Sequence, residues 1–274
     1  MRYLISGSSS YLGSSFVRSK PASEFFEVVN EYKKNKNTDL GEDNITKISL
    51  QELFSSEPNF DIIIHFAAST KIDNNSWYDL GKDLIDYSIK NSIPIILLGT
   101  WWQFKQKYKE NEYTKLKTLE QEYLIEKKKK ENNFAICFLG DIYGPADSRE
   151  KFINQVITSL KCNKPFEIKN PLGILNPIYI DDMVSRIDLV VKYLSSGLIY
   201  QGKVSLLNAD WYSSLEVFQI IQRCYQQKFE KNEFHRDSKI LVEDFDKEFF
   251  VLKKIDYPEK TFVASIIELL KYQG

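Results

Sequence analysis

Six short apolar runs set the terms for any fold of this chain: residues 2–6, 26–30, 45–48, 61–66, 93–99 and 134–139. Ile62-Ile63-Ile64 and Ile95-Ile96-Leu97-Leu98 are apolar without a polar alternate. That is the pattern of strands covered on both faces. Helical stretches are expected between the runs, at Leu12–Lys20, Leu50–Ser55, Trp77–Asn91 and Tyr113–Glu131. Strand and helix in strict alternation predict an α/β fold with a doubly wound parallel Rossmann sheet. Such sheets bind ligands outside the carboxyl ends of their strands. Gly7, Ala67, Thr100 and Asp141 all fall just past a strand end, so one crevice can collect them. After residue 145 the order turns irregular. Segments near 146–177 and 205–255 are expected to build a smaller C-terminal lobe, and no Pro/Gly/Ser linker separates it.

The chain opens on Arg2-Tyr3-Leu4-Ile5-Ser6-Gly7-Ser8-Ser9-Ser10-Tyr11-Leu12-Gly13. This reads as a buried strand, a tight turn of small residues and a helix start. Small residues let a backbone approach a pyrophosphate, and a helix N-terminus favours its charge. An ordinary strand–turn–helix without a ligand has the same pattern.

Thr100 closes the fifth run, and thirteen residues later Tyr113 begins Tyr113-Thr114-Lys115-Leu116-Lys117. Four-residue spacing puts Tyr113 and Lys117 on one helix face, one turn apart. An ammonium there can favour the phenolate. A hydroxyl at a neighbouring strand end can hold a carbonyl oxygen beside it. Together they are equipment for moving a proton on or off an oxygen while a hydride moves on or off its carbon. The spacing recurs at Tyr32/Lys36 and Tyr78/Lys82, where a solvated helix face explains it. Only the Tyr113 copy follows a strand that ends in a hydroxyl.

These segments together resemble the extended short-chain dehydrogenase/reductase family of nucleotide-sugar epimerases, dehydratases and reductases. The family's Gly-x-x-Gly-x-x-Gly reads here as Gly7 to Gly13 with Ser10 in the middle place. Asp61-Ile62-Ile63-Ile64-His65-Phe66-Ala67-Ala68 resembles its fourth strand with the Ala-Ala ending. Leu139-Gly140-Asp141-Ile142-Tyr143-Gly144-Pro145 resembles its Asn-x-Tyr-Gly-Pro segment, with Asp141 in the asparagine place. Ile178-Tyr179-Ile180-Asp181-Asp182-Met183-Val184 resembles its Val-Asp-Asp segment, and Leu252 to Leu270, through Tyr257-Pro258, its C-terminal element.

The resemblance implies a dinucleotide-binding domain over 1–145, to which about 176–210 returns, and a lobe over 146–274 that is mainly substrate-binding. It implies Tyr113 as general acid in the reducing direction. Lys117 would be the holder of the nicotinamide ribose and Thr100 the partner of the sugar oxygen. The cofactor would be met by Gly7, Ser9, Ser10, Tyr11, Leu12, Gly13, Asn30, Lys33, Phe66, Ala67, Ala68, Leu139 and Ile142, besides Tyr113 and Lys117. It also implies a homodimer through the two helices at Trp77–Asn91 and Tyr113–Glu131.

In the family's 4,6-dehydratases an Asp-Glu pair follows the threonine. Here Trp101-Trp102 stands in its place, and indoles do no acid–base work. Two chemistries remain, reduction of a 4-keto sugar with NADPH and 4-epimerisation with a tightly bound NAD. The second run, Phe26-Glu27-Val28-Val29-Asn30, ends without an acidic residue for a ribose hydroxyl, and Lys33, Lys34 and Lys36 follow. That favours a 2′-phosphate and hence reduction, although the lysines also read as a solvated basic turn. Gly99-Thr100-Trp101-Trp102-Gln103, with Tyr143 to Lys151, most resembles the CDP-abequose synthase-like branch. That branch reduces nucleotide-linked 4-keto-6-deoxyhexoses, CDP- or dTDP-linked, for bacterial surface polysaccharide. Trp101, Trp102, Asp141, Arg149 and Lys151 are the substrate-binding candidates. Arg149 and Lys151 are offered to a diphosphate, since planar and point cations both suit phosphate. A non-catalytic dinucleotide binder stays open because the middle glycine is lost, and the complete Thr/Tyr/Lys set speaks against it.

Composition narrows the rest. At 274 residues, 43% hydrophobic, the chain can bury a large core. A net charge of −1 with no long basic block gives little case for nucleic acid. Cys137, Cys162 and Cys224 lack metal or redox spacing, and His65 reads as a satisfied core histidine, so no metal is expected. An odd cysteine count without a signal peptide fits the cytoplasm. No apolar run reaches membrane-spanning length.

Overall fold

The computed structural model describes residues 1–29, 45–55, 59–67, 75–108, 110–197, 200–226, 253–254 and 261–272. In chain order the strands are β1 (Arg2–Ser6), β2 (Glu24–Val29), β3 (Ile45–Ser49), β4 (Ile62–His65), β5 (Ile95–Thr100), β6 (Phe134–Leu139), β7 (Asp141–Tyr143), β8 (Ile174–Leu175), β9 (Pro177–Tyr179), β10 (Gln201–Ser205), β11 (Tyr212–Ser213) and β12 (Lys253–Lys254). The helices are α1 (Tyr11–Arg18), α2 (Leu50–Ser55), α3 (Asn75–Asn91), α4 (Glu112–Lys127), α5 (Phe152–Lys161), α6 (Ile180–Leu194), α7 (Ser214–Tyr225) and α8 (Phe262–Tyr272). All six expected strands are present, and their ends shift by no more than two residues.

The described residues fall into two compact units. The first takes in 1–139, 184–206 and 253–254. Its sheet runs β12-β10-β6-β5-β4-β1-β2-β3, with every neighbouring pair parallel. This is the doubly wound Rossmann arrangement expected from the alternation. The winding reverses between β1 and β4, where Ser6 pairs with His65. Right-handed crossovers that leave β1 in opposite directions put α1 on one face and α3 with α4 on the other. Phe16 of α1 packs edge-on against Tyr3 at 5.7 Å, and Lys20 pairs with Asp188 of α6 at 2.5 Å. On the opposite face Phe54 of α2 meets Tyr87 of α3 at 5.6 Å. Leu4, Ile5, Ile62, Ile63, Ile64, Ile96 and Ile136 fill the sheet between these layers.

The second unit takes in 140–183, 207–226 and 261–272. Here β7 lies parallel to β9, and β8 antiparallel to β11. Helices α5, α7 and α8 enclose a core of Tyr143, Val156, Ile157, Val217, Ile220, Phe262 and Ile266. The hydroxyl of Ser213 accepts the Glu216 N–H, and the Glu216 carboxylate accepts the Ser213 N–H, a capping box that starts α7.

Candidate active site

The turn after β1 explains its own composition. Gly7 has φ +79°, and a Cβ on it would stand 2.7 Å from the Ala67 nitrogen at the end of β4. A Cβ on Gly13 would stand 2.3 Å from the Gly7 carbonyl oxygen. Both positions therefore require glycine. Ser10 between them sits at φ −71°, ψ 155°, which any residue adopts, and its Oγ accepts the Gly13 N–H at 3.0 Å as the N-cap of α1. The serine in the middle place is a helix cap. Ser9 is exposed, Tyr11 is half-buried and Leu12 is buried. The Ser8 N–H donates to Glu27 Oε1 at 3.0 Å, which puts a carboxylate of β2 against the turn.

Thr100 ends β5 at the same sheet edge. Its Oγ1 accepts the Trp102 N–H at 3.4 Å and caps the short 3-10 helix Trp101–Phe104. Asn111 caps α4, accepting the Tyr113 N–H at 2.9 Å, so the half-buried Tyr113 lies in the helix's first turn. One turn on, Lys117 is 2% exposed. Its Nζ donates to the Ala67 carbonyl at 3.1 Å and to Glu120 Oε2 at 3.1 Å. Glu120 Oε1 lies 3.2 Å from His65 Nε2, and His65 Nδ1 lies 2.6 Å from Ser6 Oγ. A carboxylate only accepts, so Nε2 carries the proton, and in a neutral ring Nδ1 accepts from the Ser6 hydroxyl. Burial alone raises the Glu120 carboxyl, but Lys117 and His65 outweigh it and hold it below its ordinary value.

Other expected site residues divide. Phe66 and Ala67 are buried at the end of β4, and Leu139 ends β6 in register with Thr100. Ala68, Asn30, Lys33, Lys34 and Lys36 lie outside the described residues. Of the two tryptophans, at least one of which was expected to face the sugar, Trp101 is 1% exposed and packs edge-on against Trp102 and Tyr108, a core position. Trp102 is half-buried and stacks on Tyr108 at 5.0 Å.

Within the second unit, Asp141 Oδ2 accepts the Asn176 N–H at 2.7 Å, and Ile142 is half-buried in β7. The Arg149 guanidinium grips Asp147 through two nitrogens, at 2.7 and 2.9 Å, and donates to the Ile142 carbonyl at 3.0 Å. The Arg149 side chain is 38% exposed, and its expected part at a diphosphate remains a proposal. Lys151 is exposed at the start of α5.

Sequence reasoning passed over Glu27, Gln103, Glu120 and Gln121. Glu120 stands in a Lys/Glu-rich helix, where a carboxylate reads as solvated. Its one signal is Gly81 in mid-α3, where a Cβ would stand 2.9 Å from Glu120 Oε1.

No protein-family model matches the chain, and no curated protein matches it in sequence. Solved structures do match. The dTDP-glucose 4,6-dehydratase of Bacillus anthracis, in complex with NAD, has a TM-score of 0.69 at 18% identity, over 99% of this chain and 96% of that one. The UDP-N-acetylglucosamine 4-epimerase of Methanobrevibacter ruminantium, in complex with UDP-N-acetylmuramic acid, has a TM-score of 0.73 at 15% identity, over 99% and 97%. The UDP-glucose 4-epimerase of Thermus thermophilus, in complex with NAD, has a TM-score of 0.68 at 14% identity, over 100% and 99%. This chain has their fold. At such identities the likeness reaches the fold, and the chemistry rests on the residues themselves.

Proposed function

We propose that the chain is an enzyme of the extended short-chain dehydrogenase/reductase family acting on a nucleotide-activated sugar. Its reaction is reduction of the 4-keto group of a CDP- or dTDP-linked 4-keto-6-deoxyhexose, in the making of bacterial surface polysaccharide, with NADPH. The observation that carries this reading is Lys117. It is a buried ammonium four residues after Tyr113, with two donors committed to Ala67 and Glu120. Among the described residues its third donor has no partner, which fits a ribose hydroxyl.

The turn from Gly7 to Gly13 fits a pyrophosphate, because its two obligate glycines bring the backbone and the N-terminus of α1 together. A bound nicotinamide dinucleotide supplies hydride chemistry. Tyr113 gives its phenolic proton to the sugar oxygen. Thr100, whose oxygen already accepts from Trp102, has its hydroxyl proton left to donate to that same oxygen. Trp101 and Trp102 offer no acid or base for water elimination. Purified protein incubated with NADPH and a dTDP- or CDP-linked 4-keto-6-deoxyhexose is expected to consume both. No loss of nicotinamide absorbance with either nucleotide rejects the reductase reading.

Glu27 favours a second reading. A carboxylate held on the Ser8 amide suits a ribose hydroxyl and repels a 2′-phosphate. That supports NAD(H), and with it a 4-epimerase that keeps its NAD. Protein that purifies with NAD and epimerises a UDP-sugar decides for it.

A further inference from the structure

We infer that Glu120 is a positioning residue for Lys117, and that His65 and Ser6 hold Glu120 in place for that task. The inference rests on Lys117 belonging to the dinucleotide site, as proposed above. Four elements converge on one carboxylate. Lys117 comes from the same helix, one turn earlier, at 3.1 Å. His65 comes from β4 at 3.2 Å, backed by Ser6 of β1 at 2.6 Å. From α3 comes Gly81, whose missing side chain leaves the space that Glu120 Oε1 fills. All four polar side chains are buried.

A long lysine side chain has many rotamers, and its head ordinarily reaches for water. Here the head stays inside, because a carboxylate and the Ala67 carbonyl take two of its three donors. With those two directions fixed, the third N–H has one direction left. Glu120 in turn has no freedom to swing, since its other oxygen is tied to His65, whose far nitrogen is tied to Ser6. The chain Ser6–His65–Glu120–Lys117 thus carries the rigidity of two central strands to the lysine head. The pair is also neutral overall, so the lysine brings its counter-ion with it into the interior. A structural salt bridge alone does not call for a glycine in the middle of α3 and a histidine in the central sheet, both spent on one carboxylate.

The test separates positioning from bulk stability. Dissociation constants for NADH and NADPH are measured in wild type, Glu120→Gln, Lys117→Met and the combined variant. Glu120→Gln is expected to weaken binding about tenfold in the wild-type background and less than about twofold when Lys117 is already Met. In parallel, isotope-labelled lysine side chains are followed by NMR, with the Lys117 signal assigned by its loss in Lys117→Met. The wild-type ammonium is expected to be shielded from exchange with water, and Glu120→Gln to remove that shielding. An unchanged Lys117 signal, or an equal binding loss in both backgrounds, overturns the inference. If Glu120→Gln does not fold, Lys117→Met/Glu120→Gln decides, since glutamine keeps an acceptor for His65 while the ammonium left unpaired by the single change is gone. A double variant that folds supports the pairing, and one as damaged as Glu120→Gln refutes it. Wild-type protein that binds neither dinucleotide defeats the proposed function, while the ammonium signal still decides whether Glu120 holds Lys117.

Discussion

Gln103 and Gln121 clasp each other by their amides, each Nε2 donating to the other's Oε1 at 3.2 Å. Gln103 Oε1 also accepts the Thr100 N–H at 2.9 Å, and its Nε2 donates to Thr118 Oγ1 at 3.1 Å. The strand end that presents Thr100 is thereby fixed to the helix that presents Tyr113 and Lys117. Gly99 makes room, since a Cβ there would stand 2.6 Å from Gln103 Oε1 and 2.7 Å from Gln121 Nε2. Gln121→Leu is expected to cost about 1–3 kcal/mol, because it strands one side of a half-buried amide pair. Urea denaturation reads this directly, and an unshifted midpoint would show that the clasp contributes nothing. Where activity is measurable, kcat is expected to fall more than the KM for cofactor rises.

Tyr113→Phe removes one oxygen from a half-buried ring in the first turn of α4. The fold is expected to survive, and turnover to drop at least about a hundredfold, the scale of a positioned general acid. Steady-state rates beside a circular-dichroism spectrum check both halves. A folded variant with near-normal turnover removes Tyr113 from the chemistry.

Cofactor choice sets two groups of charges against each other. Glu27 holds the Ser8 amide, whereas Lys33, Lys34 and Lys36 lie outside the described residues. If the lysines receive a 2′-phosphate, neutralising all three is expected to raise the KM for NADPH more than that for NADH. Glu27→Gln is expected to shift the ratio the other way, toward NADPH. A wild type that prefers NADH and a triple variant with an unaltered ratio would assign the choice to Glu27.

The sheet was legible because buried parallel strands are continuous apolar runs, and Ile62-Ile63-Ile64 has few other uses. The proposed site residues Tyr113, Lys117 and Thr100 stand out in the sequence as a spacing at a strand end. The supports behind them do not. The face that α4 buries includes Thr114, Lys117, Glu120 and Gln121, so apolar periodicity gives no sign of it. Each of those groups is satisfied by a partner distant in sequence, such as His65 for Glu120, and local pattern does not reach that far. Which of Trp101 and Trp102 is core was illegible for a related reason. Adjacency to Thr100 in sequence says nothing about which way a 3-10 turn points the ring.

Two carboxylates give the fold an acid limit. Glu120 is held low by Lys117 and His65 against its burial. Burial also raises Asp188, but hydrogen bonds from Lys20 and Lys192, at 2.5 and 2.9 Å, bring it below its ordinary value. For a carboxyl depressed in the folded state, the stabilisation is complete above the unfolded pKa of about 4 and is lost as pH falls through the folded value. Melting temperature is therefore expected to hold from neutrality to about pH 5 and decline below it. Asp188→Asn is expected to melt lower at neutral pH yet show a shallower acid decline. Parallel acid slopes in variant and wild type would take Asp188 out of the account.

Assembly is expected to centre on α4. Leu80, Leu84 and Ile85 of α3 and Leu124 of α4 are buried within the chain itself. Leu119 remains 47% exposed, and Ile125, two helical turns from Lys117, is 40% exposed. Both border a groove of about 570 Å³ that Phe104, Phe138 and Gln121 also line. A second copy laid along this face would cover Leu119 and Ile125 and would bear on Gln121, and so on the clasp that fixes Thr100. Light scattering at micromolar concentration is expected to give twice the chain mass of 32.1 kDa. Leu119→Glu/Ile125→Glu is expected to give a folded monomer, since two charges on the contact cost more than a pairing of this size supplies. A wild type that already scatters as a 32.1 kDa monomer rules out the dimer and leaves the roles of Tyr113 and Lys117 untouched.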